Sequence, residues 1–332
     1  MNLNNKTLLI TGGTGSFGKN FTQYLLNNHP ELKKIIIFSR DELKQYEMKK
    51  KYTENKFFHK LRFFLGDIRD SARLMMAFNG VDIIIHAAAL KQVDTAEYNP
   101  TEFIKTNIIG GQNIIEAAFY NNVSKVIALS TDKASSPVNL YGATKLCSDK
   151  LFISANHFLG KKKFSIVRYG NVAGSRGSVM PFFLSRKDKN SIDITNKNMT
   201  RFNISLKDSI NLIMWTIKNS FGGEIIVPKI PSYRIIDLAK AVNDKAKINI
   251  IGIREGEKIH EEMISENESI NSLDIGDKYI ILPHNKKKIK NYYLKKFKVK
   301  KIKKGLSYNS GSNLKFLSIT ELKNILKKID YK

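Results

Sequence analysis

Short apolar runs alternate with helical patterns through the first half of the chain, and this feature constrains the fold most strongly. The apolar runs are "KTLLITGG", "KKIIIFSR", "LRFFLGDIRD", "VDIIIHAAA" and "VSKVIALSTD". They lack strict polar alternation, which is typical of strands buried on both faces. Strand–helix–strand repeats require right-handed crossovers. The sequence therefore predicts an α/β fold built on a doubly wound parallel sheet.

The segments between these runs have helical spacing. We expect a helix over about 17–27, a charged helix in "DELKQYEMKKKY" and an amphipathic helix in "NIIGGQNIIEAAFYNN". The third strand is expected to end near Asp67. After about Arg168 the regularity gives way to short elements, loops with Pro and Gly, and basic segments, which indicates a smaller second lobe.

Length and cysteine content limit the class of protein. The 332 residues can bury the core of one large or two fused domains. Cys147 is the only cysteine, so no internal disulfide can form, which fits a reducing cytoplasm. No apolar run reaches membrane-spanning length, and no signal-peptide core precedes the first strand. We expect a soluble cytoplasmic protein with no membrane partner.

The chain is strongly basic, with a formal net charge of +26. Much of the excess lies in "NKKKIKNYYLKKFKVKKIKKG", residues 285–305. Lysine outnumbers arginine, and neither zinc-finger spacing nor an RNA-binding aromatic pattern is present. A solvated basic face is therefore favoured over a nucleic-acid site, and we expect no nucleic-acid partner. Attraction of anionic substrates is a by-product of this charge.

The loop "TGGTGSFG" joins the first strand to the first helix. Gly12 permits a tight turn, Gly15 lets the backbone approach a pyrophosphate, and Gly18 packs the helix against the strand. The amides of the helix N-terminus then face the phosphates. A plain strand-to-helix turn is the alternative, but the position at the first such junction favours a dinucleotide site.

The end of the second strand, "FSRDELK", bears on the choice of cofactor. NAD sites usually present a carboxylate to the ribose 2′-hydroxyl here, whereas NADP sites present positive charge to a 2′-phosphate. Arg40 can bind that phosphate with two nitrogens, and Lys44 lies a turn beyond. Asp41 is interpreted as the cap of the next helix. NADP is therefore predicted.

The middle of the cofactor path is predicted from the next two strand ends. Asp67 is expected to accept a hydrogen bond from the adenine amine, and residues 86–91 to line the middle of the cofactor. His86 itself is interpreted as a core histidine whose hydrogen bonds are satisfied.

The stretch "STDKASSPVNLYGATK" follows the fifth strand and carries the predicted chemistry. Tyr141 and Lys145 are four residues apart and share one face of a helix. The strand delivers "STDK" to the carboxyl edge of the sheet, where ligands bind in such folds. A nearby ammonium favours the phenolate, which suits a base that removes a sugar hydroxyl proton.

With these motifs the chain resembles the extended short-chain dehydrogenase/reductases. More narrowly, it resembles the inverting UDP-N-acetylglucosamine 4,6-dehydratases that begin pseudaminic acid synthesis. The likeness spans roughly residues 5–285 and includes "SRDELKQ", "HAAALKQVDTAEYNP", "RYGNVAGSRGSV", "MTRF", "VPKIPS" and "GIREGEKIHEEM". It implies that NADP⁺ takes hydride from C4, water leaves across C5 and C6, and hydride returns to C6. The implied product is UDP-2-acetamido-2,6-dideoxy-β-L-arabino-hex-4-ulose.

The resemblance also bears on the pair Asp132–Lys133. Retaining relatives that act on hexoses carry Asp-Glu at this point. A proton alpha to a C4 ketone needs a base, and Lys133 can serve if desolvation and Lys145 lower its pKa. Asp132 can then protonate the departing C6 hydroxyl. The alternative is that Lys133 only holds the strand-end carbonyls.

The remaining site residues follow from the resemblance position by position. The implied catalytic residues are Asp132, Lys133, Tyr141 and Lys145. The implied cofactor-binding residues are Gly12, Thr14, Gly15, Ser16, Phe17, Gly18, Ser39, Arg40, Asp41, Glu42, Leu43, Lys44, Asp67, Ile68, Ala87, Lys91, Tyr141, Lys145 and Val172. The implied substrate-binding residues are Lys91, Ser130, Thr131, Asn171, Val179, Thr195, Arg254 and Glu257. No metal is expected, and Gln92 stands where relatives often have histidine.

The implied domain organisation has three parts. We expect an NADP-binding Rossmann domain over 1–170 with later segments returning to it, a smaller mixed α/β sugar-nucleotide domain over 171–285, and a basic extension over 286–332. A homo-oligomer, a dimer or a hexamer, is expected. The alternatives are a C5-retaining dehydratase, a C4 epimerase of a UDP-sugar, and a non-catalytic dinucleotide-binding protein.

Overall fold

The structure is a computed structural model and describes residues 2–158, 163–175, 177–283, 287–300, 302–303 and 305–329. Its strands are β1 Thr7–Thr11, β2 Lys34–Ser39, β3 Leu61–Leu65, β4 Ile83–His86, β5 Lys125–Thr131, β6 Lys163–Tyr169, β7 Asn171–Val172, β8 Ser191–Ile194, β9 Thr200–Ile204, β10 Ile225–Pro228, β11 Ser232–Arg234, β12 Lys247–Ile250, β13 Glu262–Ile264, β14 Ser272–Asp274, β15 Lys278–Ile281 and β16 Tyr308–Asn309. Its α-helices are α1 Ser16–Asn28, α2 Glu42–Tyr52, α3 Ser71–Ala77, α4 Val93–Tyr98, α5 Pro100–Phe103, α6 Gly110–Tyr120, α7 Leu140–Phe158, α8 Val179–Leu184, α9 Leu206–Asn219, α10 Ile235–Val242, α11 Glu266–Ser269, α12 Lys287–Lys296 and α13 Ile319–Leu326.

One large sheet forms the centre of the described part of the chain. It has nine strands in the order β14-β15-β10-β6-β5-β4-β1-β2-β3. Neighbours from β3 across to β10 pair in parallel, whereas β15 and β14 run antiparallel. The chain order reverses between β1 and β4, and ligands bind at such a switch point, outside the carboxyl ends of the strands. The predicted doubly wound parallel sheet is confirmed.

Each apolar run of the first half forms a strand. β1 and β4 are buried along their whole length, as expected for strands covered by helices on both faces. β3 ends at Leu65, before the predicted end near Asp67, because Asp67 opens a turn in which its carbonyl accepts from Asp70 N at 3.1 Å.

The predicted helices are present, and one of them is longer than expected. α1 matches the predicted range within a residue at each end, and α2 begins after Asp41, whose side chain accepts from Lys44 N. Asp41 therefore caps the helix as predicted. The helix expected over 107–122 starts earlier, at Pro100, and passes through a π-helical segment, Ile104–Ile109, before α6. The π segment turns the side chain of Asn107 into the protein, where it is buried.

The later part of the chain builds a second apolar cluster beside the main sheet. Its buried members are Met180, Phe183, Leu184, Ile192, Ile194, Met199, Tyr233, Ile235, Leu238, Ala239, Ala241, Leu317, Leu322 and Leu326. The small sheets are β11-β9-β7, β12-β8 and β13-β16. Ile192 and Ile194 of β8 lie in this cluster, whereas Met263, Ile264 and Tyr308 of the β13-β16 sheet belong to the main core. The strands β10, β14 and β15 return to the main sheet, so the two lobes are interleaved along the chain.

Part of the predicted basic extension packs into the molecule. Leu322 and Leu326 of α13 lie in the second cluster, and β16 pairs with β13. In α12, Ile289 and Tyr293 are buried in the main core while the lysines point outward. Of the predicted domains, residues 1, 159–162, 176, 284–286, 301, 304 and 330–332 lie outside the described residues. The domain boundaries stay a prediction.

Helix length and hydropathy bear on membrane crossing. Among the helices in the described ranges, none combines the length and apolar character that a membrane span requires.

Candidate active site

A cavity of about 780 Å³ opens along the carboxyl ends of the parallel strands. It begins at the glycine loop after β1, passes the ends of β2 to β6, and ends against residues of the second lobe. The second-lobe side includes Arg201, Arg254, Glu257 and Glu261. Its length joins the predicted cofactor residues to the predicted substrate residues in one continuous space.

The glycine loop forms a close-fitting cradle at one end of the cavity. Gly12 has a φ of +65°, and a Cβ there would lie 2.9 Å from the backbone of Ala88. A Cβ on Gly18 would lie 2.4 Å from the carbonyl oxygen of Gly13. Gly15 is the N-cap of α1, so no side chain covers the first amides of the helix. Backbone amides at an uncovered helix N-terminus fit the pyrophosphate of a dinucleotide.

The end of β2 presents the cations Arg40 and Lys44 to the cavity, and the neighbouring carboxylate of Asp41 already has hydrogen-bond partners in the protein. Asp41 accepts from the backbone amide of Lys44 at 2.9 Å and pairs with the Lys44 ammonium. These contacts hold the pKa of the Asp41 carboxyl below its usual range. Arg40 is half exposed on the cavity wall. Gln45 donates to the carbonyl of Ser39 at 3.0 Å and to its Oγ at 3.1 Å, which fixes the strand end.

Asp67 lies on the cavity wall, but arginine donors surround its carboxylate. Arg69 donates to it from the backbone amide, Nε and Nη2 at 2.9, 3.0 and 2.7 Å, and Arg40 Nη1 lies 3.6 Å away. These bonds lower the pKa of Asp67 against the opposing effect of burial. The contact with an adenine amine stays a prediction.

Buried polar groups form hydrogen bonds at the end of β4 and in the loop that follows it. His86 is buried, and its Nδ1 lies 2.8 Å from Thr11 Oγ1. Burial lowers the pKa of His86 to about 3, so the ring is neutral. Asn107 accepts from Leu90 N at 2.9 Å and donates to Leu90 O at 3.0 Å. The interpretation of His86 as a satisfied core histidine is confirmed.

Tyr141 and Lys145 both line the cavity from α7, as predicted, but their electrostatics differ from the expectation. Burial raises the pKa of Tyr141 to about 12, and the opposing influences are the ammonium of Lys133 and a hydrogen bond with Thr131. Lys145 Nζ donates to the carbonyl of Leu129 at 2.8 Å. The ammonium that acts on Tyr141 is therefore that of Lys133, and the effect expected of Lys145 stays a prediction.

Lys133 stands between two carboxylates where β5 ends. Its Nζ lies 3.2 Å from Oδ1 of Asp132 and 2.9 Å from Oε1 of Glu261. Burial lowers the pKa of Lys133, but the two carboxylates outweigh burial and raise it above its ordinary value. The expectation that desolvation and Lys145 lower the pKa of Lys133 is therefore wrong, because sequence reasoning did not place Glu261 against it.

Asp132 is fully buried beneath this group. Burial raises the pKa of its carboxyl, and Glu261 raises it further, while Lys133 and Thr131 oppose. The Thr131 hydroxyl donates to Oδ1 at 3.0 Å, whereas Oδ2 has no hydrogen-bond partner among the described residues. Burial thus favours the protonated form of this carboxyl, which is the form that can act as an acid.

Most of the predicted site residues share the cavity. Those on its wall are Gly12, Thr14, Gly15, Ser16, Phe17, Gly18, Ser39, Arg40, Asp41, Lys44, Asp67, Ile68, Ala87, Lys91, Ser130, Thr131, Lys133, Tyr141, Lys145, Asn171, Val172, Val179, Arg254 and Glu257. Asp132 lies directly behind the wall, in contact with Lys133.

Three predicted site residues are not on this wall. Glu42 and Leu43 follow the cap of α2, and the turn of the helix points them to solvent, with Leu43 66% exposed. Thr195 is buried, and its hydroxyl contacts Met199 Sδ at 3.2 Å in the second cluster. Their contacts with cofactor or substrate stay predictions.

Sequence reasoning missed the roles of several buried polar residues at this site. Glu261 and Arg201 lie within the motifs "GIREGEKIHEEM" and "MTRF". Spacing alone does not show that Glu261 pairs with Lys133 or that Arg201 lies beside Glu261. Asn107 lies in a π-helical segment, and helical periodicity does not reveal such a segment. For metal ions, the described ranges contain no group of three or more His, Cys, Asp or Glu side chains suited to bind one.

Comparisons with known proteins agree with this arrangement. The family described as "Polysaccharide biosynthesis protein" matches residues 8–283. The UDP-N-acetylglucosamine 4,6-dehydratase (inverting) of Campylobacter jejuni strain 81-176 is 50% identical over 331 residues, covering 97% of this chain and 98% of the relative. A UDP-glucose 4-epimerase of Rickettsia bellii strain RML369-C is 42% identical, covering 98% of this chain and 96% of the relative.

A solved structure shares the whole architecture. The X-ray structure of Pen from Bacillus thuringiensis superposes with a TM-score of 0.88 at 35% identity, and the match covers 98% of both chains. The family match and the end-to-end likeness lead to the same assignment. The chain belongs to the polysaccharide biosynthesis protein family, alongside the inverting UDP-N-acetylglucosamine 4,6-dehydratases of Campylobacter jejuni.

Proposed function

We propose that this protein is an NADP-dependent UDP-N-acetylglucosamine 4,6-dehydratase that inverts C5. The observation that carries the proposal is the group Asp132, Lys133 and Tyr141 at the middle of the cavity. A dinucleotide cradle lies at one end of that cavity and basic second-lobe residues lie at the other. The name of the half-identical relatives supports the same substrate.

The cofactor proposal rests on the glycine cradle and the end of β2. The dinucleotide, when bound, accepts hydride from C4 of the sugar and returns it to C6. Arg40 and Lys44 present positive charge near the predicted position of the 2′-phosphate, while Asp41 is engaged as a helix cap. This supports NADP over NAD, because an NAD site presents a free carboxylate to the ribose.

Tyr141 is proposed to accept the proton of the C4 hydroxyl. Its hydroxyl lies on the cavity wall, within the field of the Lys133 ammonium and in hydrogen-bond contact with Thr131. Both influences favour the phenolate against burial, which is what a base for a sugar hydroxyl needs. Lys145 adds positive charge from the next turn of the same helix.

Asp132 and Lys133 are proposed to carry out the elimination. Lys133 first releases its own proton to solvent and then, as a neutral amine, takes the C5 proton. The electrons of the C5–H bond form a C5–C6 double bond as the C6–O bond breaks. Asp132 gives its proton to the leaving hydroxyl, so water departs. The raised pKa of the Asp132 carboxyl supports the acid role.

The far end of the cavity is proposed to hold the UDP moiety. Arg254 and Glu257 are held in one turn, in which the Arg254 amide donates to the Glu257 carboxylate at 3.3 Å. The guanidinium of Arg254 suits a diphosphate, which it can bind with two nitrogens. A cytoplasmic location and a homo-oligomer, a dimer or a hexamer, stay predictions.

The runner-up functions differ in product. A C4 epimerase is suggested by the name of relatives near 42% identity, and a retaining dehydratase needs the same elimination without inversion. A non-catalytic dinucleotide-binding protein needs no proton-transfer groups. Incubation with UDP-N-acetylglucosamine and mass spectrometry separates these classes. Loss of water supports a dehydratase, an unchanged mass with a changed C4 signifies an epimerase, and no reaction contradicts both enzymatic functions.

A further inference from the structure

The cavity contains a buried carboxylate that the proposed reaction does not use. Glu261 lies on the cavity wall with a side chain only 3% exposed, and its Oε1 is 2.9 Å from Lys133 Nζ. Arg201 Nε lies 3.8 Å from the same oxygen. Oε2 is buried and has no hydrogen-bond partner among the described residues. Such an atom is expensive to bury, so the side chain is held there by its charge partners.

We propose that Glu261 is the positioning residue for Lys133: it holds the ammonium in the cavity and determines the pH at which Lys133 becomes a neutral base. The identity of the step that Lys133 performs rests on the proposed function. The pairing itself rests on the contact between Nζ and Oε1.

Hydrogen bonds with Ser310 fix the backbone of Glu261. The amide of Glu261 donates to Ser310 Oγ at 2.9 Å, and the amide of Ser310 donates to the Glu261 carbonyl at 2.7 Å. The neighbouring Lys258 Nζ donates to the carbonyl of Ser135, just beyond the Asp132–Ala134 turn, at 2.7 Å. The carboxylate therefore reaches the end of β5 from a segment more than a hundred residues later in the chain.

The charged groups around Lys133 determine whether loss of Glu261 raises or lowers the pKa of Lys133. The groups that face it are the carboxylates of Asp132 and Glu261, the cations Lys91, Lys258 and Arg201, and the phenols Tyr141 and Tyr233. Burial raises the pKa of Asp132, which favours its neutral form, whereas Lys133 and Arg201 lower the pKa of Glu261 and keep it charged. Asp132 and Glu261 both favour the protonated form of Lys133, so removal of the Glu261 charge lowers the pKa of Lys133.

Competitive acetylation measures this pairing without substrate. Wild-type and Glu261→Gln protein are treated with trace acetic anhydride across pH 7–11, and peptide mass spectrometry follows Lys133 against the exposed Lys150. Glutamine keeps the size and a hydrogen bond but removes the charge. We expect Lys133 to react on the order of tenfold faster or more in Glu261→Gln at pH 9, since an adjacent opposite charge shifts a pKa by one unit or more. Equal rates would overturn the proposal.

The pH profile of turnover gives the second readout. With UDP-N-acetylglucosamine as substrate, the acidic limb of kcat should move to lower pH by about 1–3 units in Glu261→Gln. Glu261→Asp keeps the charge with a shorter reach, so kcat should fall while the limb stays near the wild-type position. A residue that only supports the fold would lower kcat in both variants without moving the limb, and that result would refute the proposal.

Glu262→Gln is the matched control. Glu262 is the next residue, and its carboxylate accepts from Ser136 and Ser307 hydroxyls at 2.8 and 2.6 Å. Neither the acetylation rate of Lys133 nor the pH limb should change in this variant. If either readout shifts as much in Glu262→Gln as in Glu261→Gln, loss of any nearby negative charge has the same effect. That result would contradict a specific Lys133–Glu261 pair. If acetylation shifts in Glu261→Gln but no protein turns over, the pairing is supported and the proposed function fails.

Discussion

At the residue scale, the end of β5 shows how one contact changes the chemistry of a side chain. Burial lowers the pKa of Lys133, but the carboxylates of Asp132 and of Glu261 outweigh burial and raise it. Burial does act on Tyr141, whose pKa rises to about 12. The protonation of each group follows from its neighbours in space, which come from distant parts of the chain.

Lys133→Met tests the base directly. Methionine keeps most of the length and the apolar stem, so packing is preserved. We expect elimination to be slowed on the order of a hundred- to ten-thousand-fold, while oxidation at C4 remains at least partly possible. NADPH absorbance and a C4-keto sugar should accumulate, with little deuterium at C5 in D₂O. Near-normal turnover with ordinary C5 deuteration would move the base role to Asp132 or to a water that it holds.

Tyr141→Phe removes only the hydroxyl that is proposed to take the C4 proton. The variant should fold and bind the cofactor, because the ring and its packing remain. Stopped-flow absorbance after mixing with substrate should show no transient NADPH. NADPH formed at the wild-type rate would show that another group accepts this proton.

His86 gives a pH dependence of stability. Its pKa is about 3 in the folded protein and 6.5 as the reference value, so between these values only the unfolded chain takes up the proton. Its contribution to stability is therefore complete above pH 6.5 and falls as the pH drops towards 3. From pH 7 to pH 5 it should cost about 2 kcal/mol. Urea unfolding of wild type and His86→Asn at both pH values measures the difference. Equal pH slopes for the two proteins would contradict the buried neutral ring.

At the element scale, the strands that carry the site were predictable and the contacts between elements were not. β1 to β5 follow from apolar runs, α1 from its glycine loop, and the capping role of Asp41 from its position. A motif does not give the rotation of side chains about α2, so it does not show that Leu43 is 66% exposed, and the irregular spacing around Thr195 does not show that Thr195 is buried. The approach of Glu261 to Lys133 spans more than a hundred residues of chain, which neither periodicity nor motif spacing encodes.

The β2–α2 turn gives a prediction about the cofactor. Arg40→Ala should weaken NADP⁺ binding by about 1.5–3 kcal/mol, as expected for a hydrogen bond to a charged group, and leave NAD⁺ binding nearly unchanged. Calorimetric titration with both dinucleotides measures this. Lys49→Ala, which removes a charge from the exposed far end of α2, is the control and should affect neither. Equal affinities of the wild type for the two dinucleotides would remove Arg40 from this role.

At the scale of the whole molecule, ionic and hydrogen-bonded contacts tie the two lobes together around the cavity. Arg168 at the end of β6 donates to the Glu268 carboxylate of α11 at 2.9 Å, and Asn139 before α7 donates to the carbonyl of Gly256 at 2.8 Å. With the pair Lys133–Glu261, these contacts place the groups that we propose to bind the sugar and to transfer protons in one continuous space. We therefore propose that the whole cavity, rather than either lobe alone, is the catalytic unit.

The most direct test of this account is proton NMR of the product that the wild-type protein forms from UDP-N-acetylglucosamine in D₂O with NADP⁺ present. We predict a 4-keto-6-deoxy sugar with a new C6 methyl group, deuterium at C5 and the inverted, L-arabino configuration at that carbon. A C4 epimer that keeps its C6 hydroxyl, or a 4-keto-6-deoxy sugar with C5 retained, would contradict the central claim.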